Sequence, residues 1–379
     1  MASKTTKKSN KTTKQAAAKD AKANGQVVAV PEESSIEVSF RTYQADSYTH
    51  EDLDLSTDDV LDMYRNMLLQ RRFEERAAQM YGKQKIAGFL HLYIGQEAVS
   101  TGTAHAINVG GDTIITAYRD HGIALALGMS ADAGMAELFG KIDGCSKGKG
   151  GSMHFFDKER GLYGGHGIVG GHIPVAVGMG YAHKYKEDGG VAIGFFGDGA
   201  MWQGSFHEAA NLASLYNVPV ILVCENNQYA MGTAVERAAA EPDLYKQAVG
   251  YNMQGSLVNG MDVFSVCKAM RDHVAMAREG RPSLVEIRTY RYRGHSMSDP
   301  MKYRTKEELD AKKNEDPILR LKGYILENKL SDNDQLDEVD NAVKQEVKDS
   351  VDFAENSEFP PLDSIYDDVY SQEDYPFLA

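Results

Sequence analysis

The chain predicts an α/β fold, three αβα layers built on a mostly parallel sheet. Three observations point to it. Short apolar runs at 191–196, 218–224 and 283–290 have strand length, and helix-like stretches at 203–216 and Val263–Arg278 separate them. That rhythm needs crossover connections, so neighbouring strands run parallel and helices cover both faces. The composition agrees: 42% apolar residues and 36 glycines in 379 residues suit a folded chain, not one disordered throughout.

Several function classes drop out early. No apolar stretch approaches the ~20 residues that span a bilayer. Cys145, Cys224 and Cys267 are too few for a disulfide framework and lack zinc-ligand spacing, which suits a reducing compartment. A net charge of −14 argues against a dedicated nucleic-acid binder, whose affinity comes from neutralising phosphates.

Along the chain, residues 1–24 hold seven lysines and almost no large apolar side chain, so they are expected to be disordered. There is no apolar core of a secretory signal, and the lack of arginine and of an amphipathic stripe argues against a transit peptide. Residues 1–55 therefore read as a disordered basic tail with an extended lead-in. Residues 56–330 read as the α/β domain. Its first helix starts at Ser56, a natural N-cap with Asp58 and Asp59 in the first turn, and stops near Gly82. Val60, Tyr64, Met67, Leu68 and Phe73 form its apolar stripe. Residues 331–379 form an acidic helical or extended segment; from 330 onward there are 15 Asp and Glu against two Lys. Phe359, Leu362, Tyr366, Tyr370 and Phe377 suggest that it lies against the domain or a partner.

Three glycine-rich places compete for a chemical role. Gly165-His166-Gly167-Ile168-Val169-Gly170 has dinucleotide-fingerprint spacing, but 158–163 does not read as the strand that must precede it. The acids about 20 residues on, where such a site needs one, are Glu187 and Asp188 in a polar turn. A packing loop before a helix at 174–186 is the better reading. Residues 147–152 lack phosphate-loop spacing and read as a flexible surface loop. At the third place, Gly197-Asp198-Gly199-Ala200 ends one strand, and the next ends in Cys224-Glu225-Asn226-Asn227. One crossover helix joins them, so Asp198 and Asn227 share the sheet edge where α/β proteins bind ligands. A carboxylate, an amide oxygen and carbonyls of the irregular backbone beyond Asn227 form a hard oxygen set suited to Mg2+ on a diphosphate. The flanking glycines and the start of the following helix favour the anion.

The stretch from Gly197-Asp198-Gly199 to Asn226-Asn227 resembles the thiamin diphosphate motif. Four further segments resemble α subunits of pyruvate dehydrogenase E1 components: His91-Leu92-Tyr93-Ile94-Gly95-Gln96-Glu97-Ala98, Thr116-Ala117-Tyr118-Arg119-Asp120-His121-Gly122, Lys149-Gly150-Gly151-Ser152-Met153-His154, and the run from Tyr290 to Pro300 through Gly294-His295-Ser296. The five occur in order across roughly 55–375.

The resemblance implies a thiamin diphosphate-binding fold, with thiamin diphosphate and Mg2+ as cofactors and pyruvate as substrate. Decarboxylating a 2-oxo acid leaves a carbanion that no side chain stabilises, so the thiazolium serves as electron sink. The acyl group then passes to a lipoyl group of the E2 acyltransferase. By the same resemblance Asp198, Asn227 and the Tyr229 carbonyl are metal ligands. Tyr118, Arg119 and His295 hold the diphosphate, where a guanidinium suits bidentate binding. Gly167, Val169, Gly199 and Ala200 line the cofactor. His91 lies near the 2-oxo acid, and His91 and His295 are the catalytic candidates. His105, His183 and His273 have no motif context and read as packing or surface residues. The activating glutamate belongs to a β subunit in this family, so an α2β2 heterotetramer with the site between subunits is implied. Sister families, the acetoin and branched-chain 2-oxo acid dehydrogenase α subunits, are the alternatives. A non-catalytic scaffold is disfavoured, because every metal-ligand position and Arg119 are present. Of three positions phosphorylated in mitochondrial members, only Ser296 is kept: Ala234 stands at one, and the segment after Asp299-Pro300 is short of a serine. That pattern implies a bacterial cytoplasmic enzyme without a dedicated kinase, with the mitochondrial matrix or a plastid as the alternative.

Overall fold

The computed structural model describes residues 40–371. The expected tail at 1–24 and Phe377 lie outside them. In chain order the main elements are β1 (Arg41–Tyr43), α1 (Thr57–Gly82), α2 (Glu97–Ala104), β2 (Thr113–Ala117), α3 (His121–Ala126), α4 (Ala131–Leu138), β3 (Leu162–His166), α5 (Ile173–Lys186), β4 (Ala192–Gly197), α6 (Gly204–Leu215), β5 (Val220–Asn226), β6 (Gln254–Asn259), α7 (Val263–Arg278), β7 (Ser283–Arg288), α8 (Lys306–Lys313), α9 (Pro317–Glu327) and α10 (Asn333–Asn356).

Among the described residues seven strands form one sheet in the order β1-β6-β7-β5-β4-β2-β3, and every pairing in it is parallel. The α/β, three-layer expectation holds. Alternation along the central strands builds two cores. Ile193, Phe195, Ile221, Val223, Val285 and Ile287 face one way, towards α1, α2 and α7. Ala192, Phe196, Val220, Leu222, Cys224 and Leu284 face the other, towards α5 and α6. Strands buried on both faces read as continuous apolar runs, which is why these three were visible in the sequence.

Ser56 caps α1 through a reciprocal pair with Asp59, as its spacing suggests. All five residues of the expected stripe are buried, and so are the polar Gln70 and Glu74 beside them. The lead-in joins the sheet: β1 pairs with β6 at its edge. Helix α10 lies across α1 and α4. Beyond it Phe359 meets Lys141, whose Nζ stands 4.0 Å from the ring centre, while Leu362 stays 91% exposed.

Two readings need correction. Residues 162–166 form strand β3, overlapping the glycine run, where the sequence suggests no strand. Its pairing with β2 and close packing override its poor propensity. A Cβ at Gly165 would sit 2.0 Å from Asp120 Oδ2, so no larger residue fits. Glu187 is still no ribose ligand, since it ends α5 in a left-handed cap. The 147–152 loop is not loose either. It wraps the buried carboxylate of Glu137, which accepts N–H bonds from Ser146, Gly148, Gly150 and Gly151 at 2.7–2.9 Å. The anion nest expected of a phosphate loop is filled by the chain's own glutamate.

Candidate active site

Because every strand runs the same way, the loops after β2, β3, β4, β5 and β7 leave the sheet at one edge. Tyr118 and Arg119 follow β2, Gly167 and Val169 follow β3, Asp198 follows β4, Asn227 follows β5, and Arg291 and His295 come after β7. Two cavities open there. The smaller, about 230 Å³, is lined by Tyr118, Arg119, Val169, Asp198, Ala200 and Asn227, among others. The larger, about 640 Å³, is bordered by His91, Tyr118, Gly167, Val169, His295 and Ser296. Tyr118, Val169 and Met231 belong to both walls, so the cavities adjoin.

At the floor of the smaller cavity, Asp198 opens a 3-10 turn (Asp198–Trp202) that precedes α6, so this turn and not the helix end meets the cavity. Gly199 also lines it, and a Cβ at Gly197 would meet open space. Burial pushes the Asp198 acid up to about 6, its own backbone amide and Arg291 pulling it back down. Asn227 donates its amide N–H to Gln96 Oε1 at 3.0 Å, which leaves Oδ1 turned to a cation. That cation is Arg291, whose Nη1 reaches Asn227 Oδ1 at 3.2 Å and the Tyr229 carbonyl at 2.8 Å. The two oxygens expected to ligate a metal thus already share one positive group. Each has a second lone pair, and Asp198 adds a buried carboxylate, so the donor set fits a hard divalent cation. Among the described residues no three His, Cys, Asp or Glu side chains cluster as ready metal ligands, so such a cation relies on amide and carbonyl oxygens.

Arg119 is buried and already engaged: Nη1 donates to the Leu92 carbonyl at 2.6 Å and Nη2 to the His295 carbonyl at 2.9 Å. Burial and the charge of Arg291 lower its pKa to about 10, so it stays cationic. The fork expected to grip phosphate bidentately instead ties two loops together, and its charge rather than its full donor set faces the cavity. His91, Tyr118 and His295 form a triangle of rings with centres 4.6–5.6 Å apart. Burial, reinforced by Arg119, lowers His91 to about 3 and His295 to about 4, so both are neutral at pH 7. His295 lines only the larger cavity. A neutral imidazole there offers a hydrogen bond, not a charge.

His273 is buried against Ser256 Oγ at 2.9 Å, His105 bonds the Thr101 carbonyl, and His183 bridges Thr113 and Asp188, as packing residues do. Sequence reasoning passed over Gln96, Glu225, Met231 and Arg291, which complete the site. Glu225 lines the smaller cavity and accepts a 2.5 Å bond from Tyr93; burial pushes its acid up to about 7. Glu225 and Arg291 lay inside motif segments, but their roles depend on contacts across the sheet edge. Ser296 bonds the Ser298 hydroxyl at 3.0 Å on the wall of the larger cavity.

A family model described as dehydrogenase E1 component matches residues 65–363. The pyruvate dehydrogenase E1 component subunit alpha of Rhizobium meliloti (strain 1021) is 48% identical over 318 residues, covering 83% of this chain and 91% of that one. Its counterpart from Zymomonas mobilis subsp. mobilis is 46% identical over 314 residues, 82% of this chain and 88% of that one. The mitochondrial pyruvate dehydrogenase E1 component subunit alpha-1 of Arabidopsis thaliana is 45% identical over 320 residues, 83% and 81% respectively.

Proposed function

The chain belongs to the dehydrogenase E1 component family, and from that premise we propose that it is the α subunit of the E1 component of a pyruvate dehydrogenase complex. It catalyses the oxidative decarboxylation of pyruvate and the reductive acetylation of the lipoyl group of an E2 acyltransferase, together with a β subunit in an α2β2 assembly. Thiamin diphosphate, the cofactor this family implies, supplies the electron sink when bound.

One observation supports the site assignment: Asp198 and Asn227 line one cavity at the sheet edge, and a buried arginine bonds both the Asn227 amide oxygen and the Tyr229 carbonyl. In this reading those three oxygens hold Mg2+, and Arg119 and Tyr118 orient the diphosphate. The neutral His295 donates a hydrogen bond, and His91 faces the 2-oxo acid in the larger cavity. Substrate pyruvate, rather than a branched-chain 2-oxo acid or acetoin, follows the names of the relatives. No described helix is long and apolar enough to cross a membrane. A bacterial cytoplasmic location accompanies the reading, with the mitochondrial matrix as the second choice because one relative is mitochondrial.

The test is co-expression with a β-chain candidate, then turnover of pyruvate, a branched-chain 2-oxo acid and acetoin with an artificial electron acceptor. Pyruvate should be used best, and only by the two-chain enzyme. Preference for another substrate, or full turnover by the purified chain alone, refutes the assignment.

A further inference from the structure

The segment between α1 and α2 brings His91 to the wall of the larger cavity but belongs to no sheet. Its buried backbone groups need other partners: the Leu90 and Ile94 carbonyls accept from the Met297 and Tyr292 N–H groups, and side chains supply partners to the residues between. The His91 N–H donates to Ser152 Oγ at 3.2 Å, the Leu92 carbonyl accepts from Arg119, and the Tyr93 N–H donates to Glu74 Oε1 at 2.7 Å. Glu74 and Ser152 are joined in turn. His121 Nδ1 donates to the Glu74 carboxylate at 3.1 and 3.2 Å, and Nε2 lies 3.0 Å from the Ser152 carbonyl and 3.1 Å from its hydroxyl.

These groups sit deep: Glu74 is 1% exposed, His121 0% and Ser152 5%, with the rings of Phe73 and Phe155 against the imidazole. Burial opposes a charged His121, but the Glu74 carboxylate, its hydrogen bond and Asp120 outweigh it and raise the pKa. An imidazolium donates from both nitrogens, which matches the two carbonyl-type acceptors it faces. A buried ion pair adds little net stability over apolar residues of the same volume. What this one provides is direction: the carboxylate on α1, the imidazole opening α3 and the hydroxyl of the 151–153 turn hold two alternate amides of one extended segment.

We propose that Glu74, acting with His121 and Ser152, is a positioning residue that fixes the backbone at 91 and 93 and thereby aims the His91 ring at the cavity beside Tyr118 and His295. The catalytic consequence rests on the reading that a 2-oxo acid binds beside His91.

The test uses the assembled two-chain enzyme with Ser152→Ala and Glu74→Gln. Ser152→Ala removes the acceptor of the His91 N–H and the hydroxyl contact to His121 Nε2, while the Ser152 carbonyl still faces that nitrogen. Glu74→Gln keeps an acceptor for the Tyr93 N–H but loses the charge that holds His121. Each should lower kcat/KM for pyruvate by about 10- to 100-fold, the cost of misplacing a reacting geometry by roughly 1 Å. The Kd for thiamin diphosphate with Mg2+ should shift far less than kcat/KM, because Asp198 and Asn227 lie on other loops and Arg119 keeps its bond to the His295 carbonyl, and the double variant should be little worse than either single one. Hydrogen–deuterium exchange should quicken in peptides covering 87–95 and nowhere else. Unchanged kcat/KM and unchanged exchange in both variants would overturn the proposal. So would cofactor affinity and protection lost together across the whole chain, the mark of a merely structural role. If the wild-type enzyme turns over no 2-oxo acid, the functional assignment fails, while the local exchange result still decides the positioning role.

Discussion

Replacing Gly199 by alanine would drive a methyl wedge between the two halves of the candidate metal site. Gly199 follows Asp198 on the turn after β4, and Ala230 follows Tyr229 in the short hairpin after β5. A Cβ at 199 would stand 2.6 Å from the Ala230 Cβ. Non-bonded carbons rest about 3.5–4.0 Å apart, so the turn and the hairpin must part by roughly 1 Å. Gly199 is not in the left-handed region, so alanine brings no backbone strain and the clash is the whole perturbation. Overpacking of this kind costs about 1–3 kcal/mol, a drop of a few degrees in Tm, and the chain should still fold. The larger effect falls on the ligand oxygens. A displacement of about 1 Å within a positioned site should weaken Mg2+-dependent thiamin diphosphate binding about 100-fold. Titration calorimetry of the assembled enzyme measures this directly. The control is Gly199→Ala with Ala230→Gly, which removes the opposing methyl and should restore most of the affinity. Wild-type affinity in the single variant, or no recovery in the double one, would show that the spacing of these two loops does not set the site.

Asp198→Ala should leave the fold intact, because it deletes a buried carboxylate with no ion-pair partner among the described residues. It should cost at least about 100-fold in Mg2+-dependent cofactor affinity, beyond the loss of an outer-shell partner, and abolish the rise in Tm on adding cofactor and Mg2+. Ser296→Glu should remove most of the activity, since a charge on the wall of the larger cavity beside His295 repels an anionic ligand; mass spectrometry of the native protein should find Ser296 without stoichiometric phosphate, and a phosphate that rises as activity falls would reverse that reading. His172 and His273 are buried, and burial lowers both to about 4. The unfolded chain takes up protons below about 6.5 while these folded sites do not, so the stability is complete above that pH and is lost as pH falls towards 4. Urea unfolding of His273→Gln should therefore show a shallower loss between pH 6.5 and 4 than the wild type, and an identical slope counts against burial as the cause.

What the amino-acid sequence determined was local or periodic. The cap at Ser56, the stripe of α1, the bounds Val263–Arg278 of α7 and the doubly buried β4, β5 and β7 depend on neighbours a few residues away, and they were legible as spacing. The Asp198 and Asn227 pairing was legible too, because one crossover separates two adjacent parallel strands. Tertiary structure alone decided the rest. Strand β3 exists because β2 lies beside it, and the 147–152 loop is pinned because Glu137 is buried beneath it. Arg119 turns to the Leu92 and His295 carbonyls, and Gln96 reaches Asn227 across 131 residues of sequence. Such contacts depend on the order of strands in the sheet, which hydrophobic period and capping leave open. Buried polar atoms must find partners wherever the fold brings them, and a one-dimensional spacing does not record where that is.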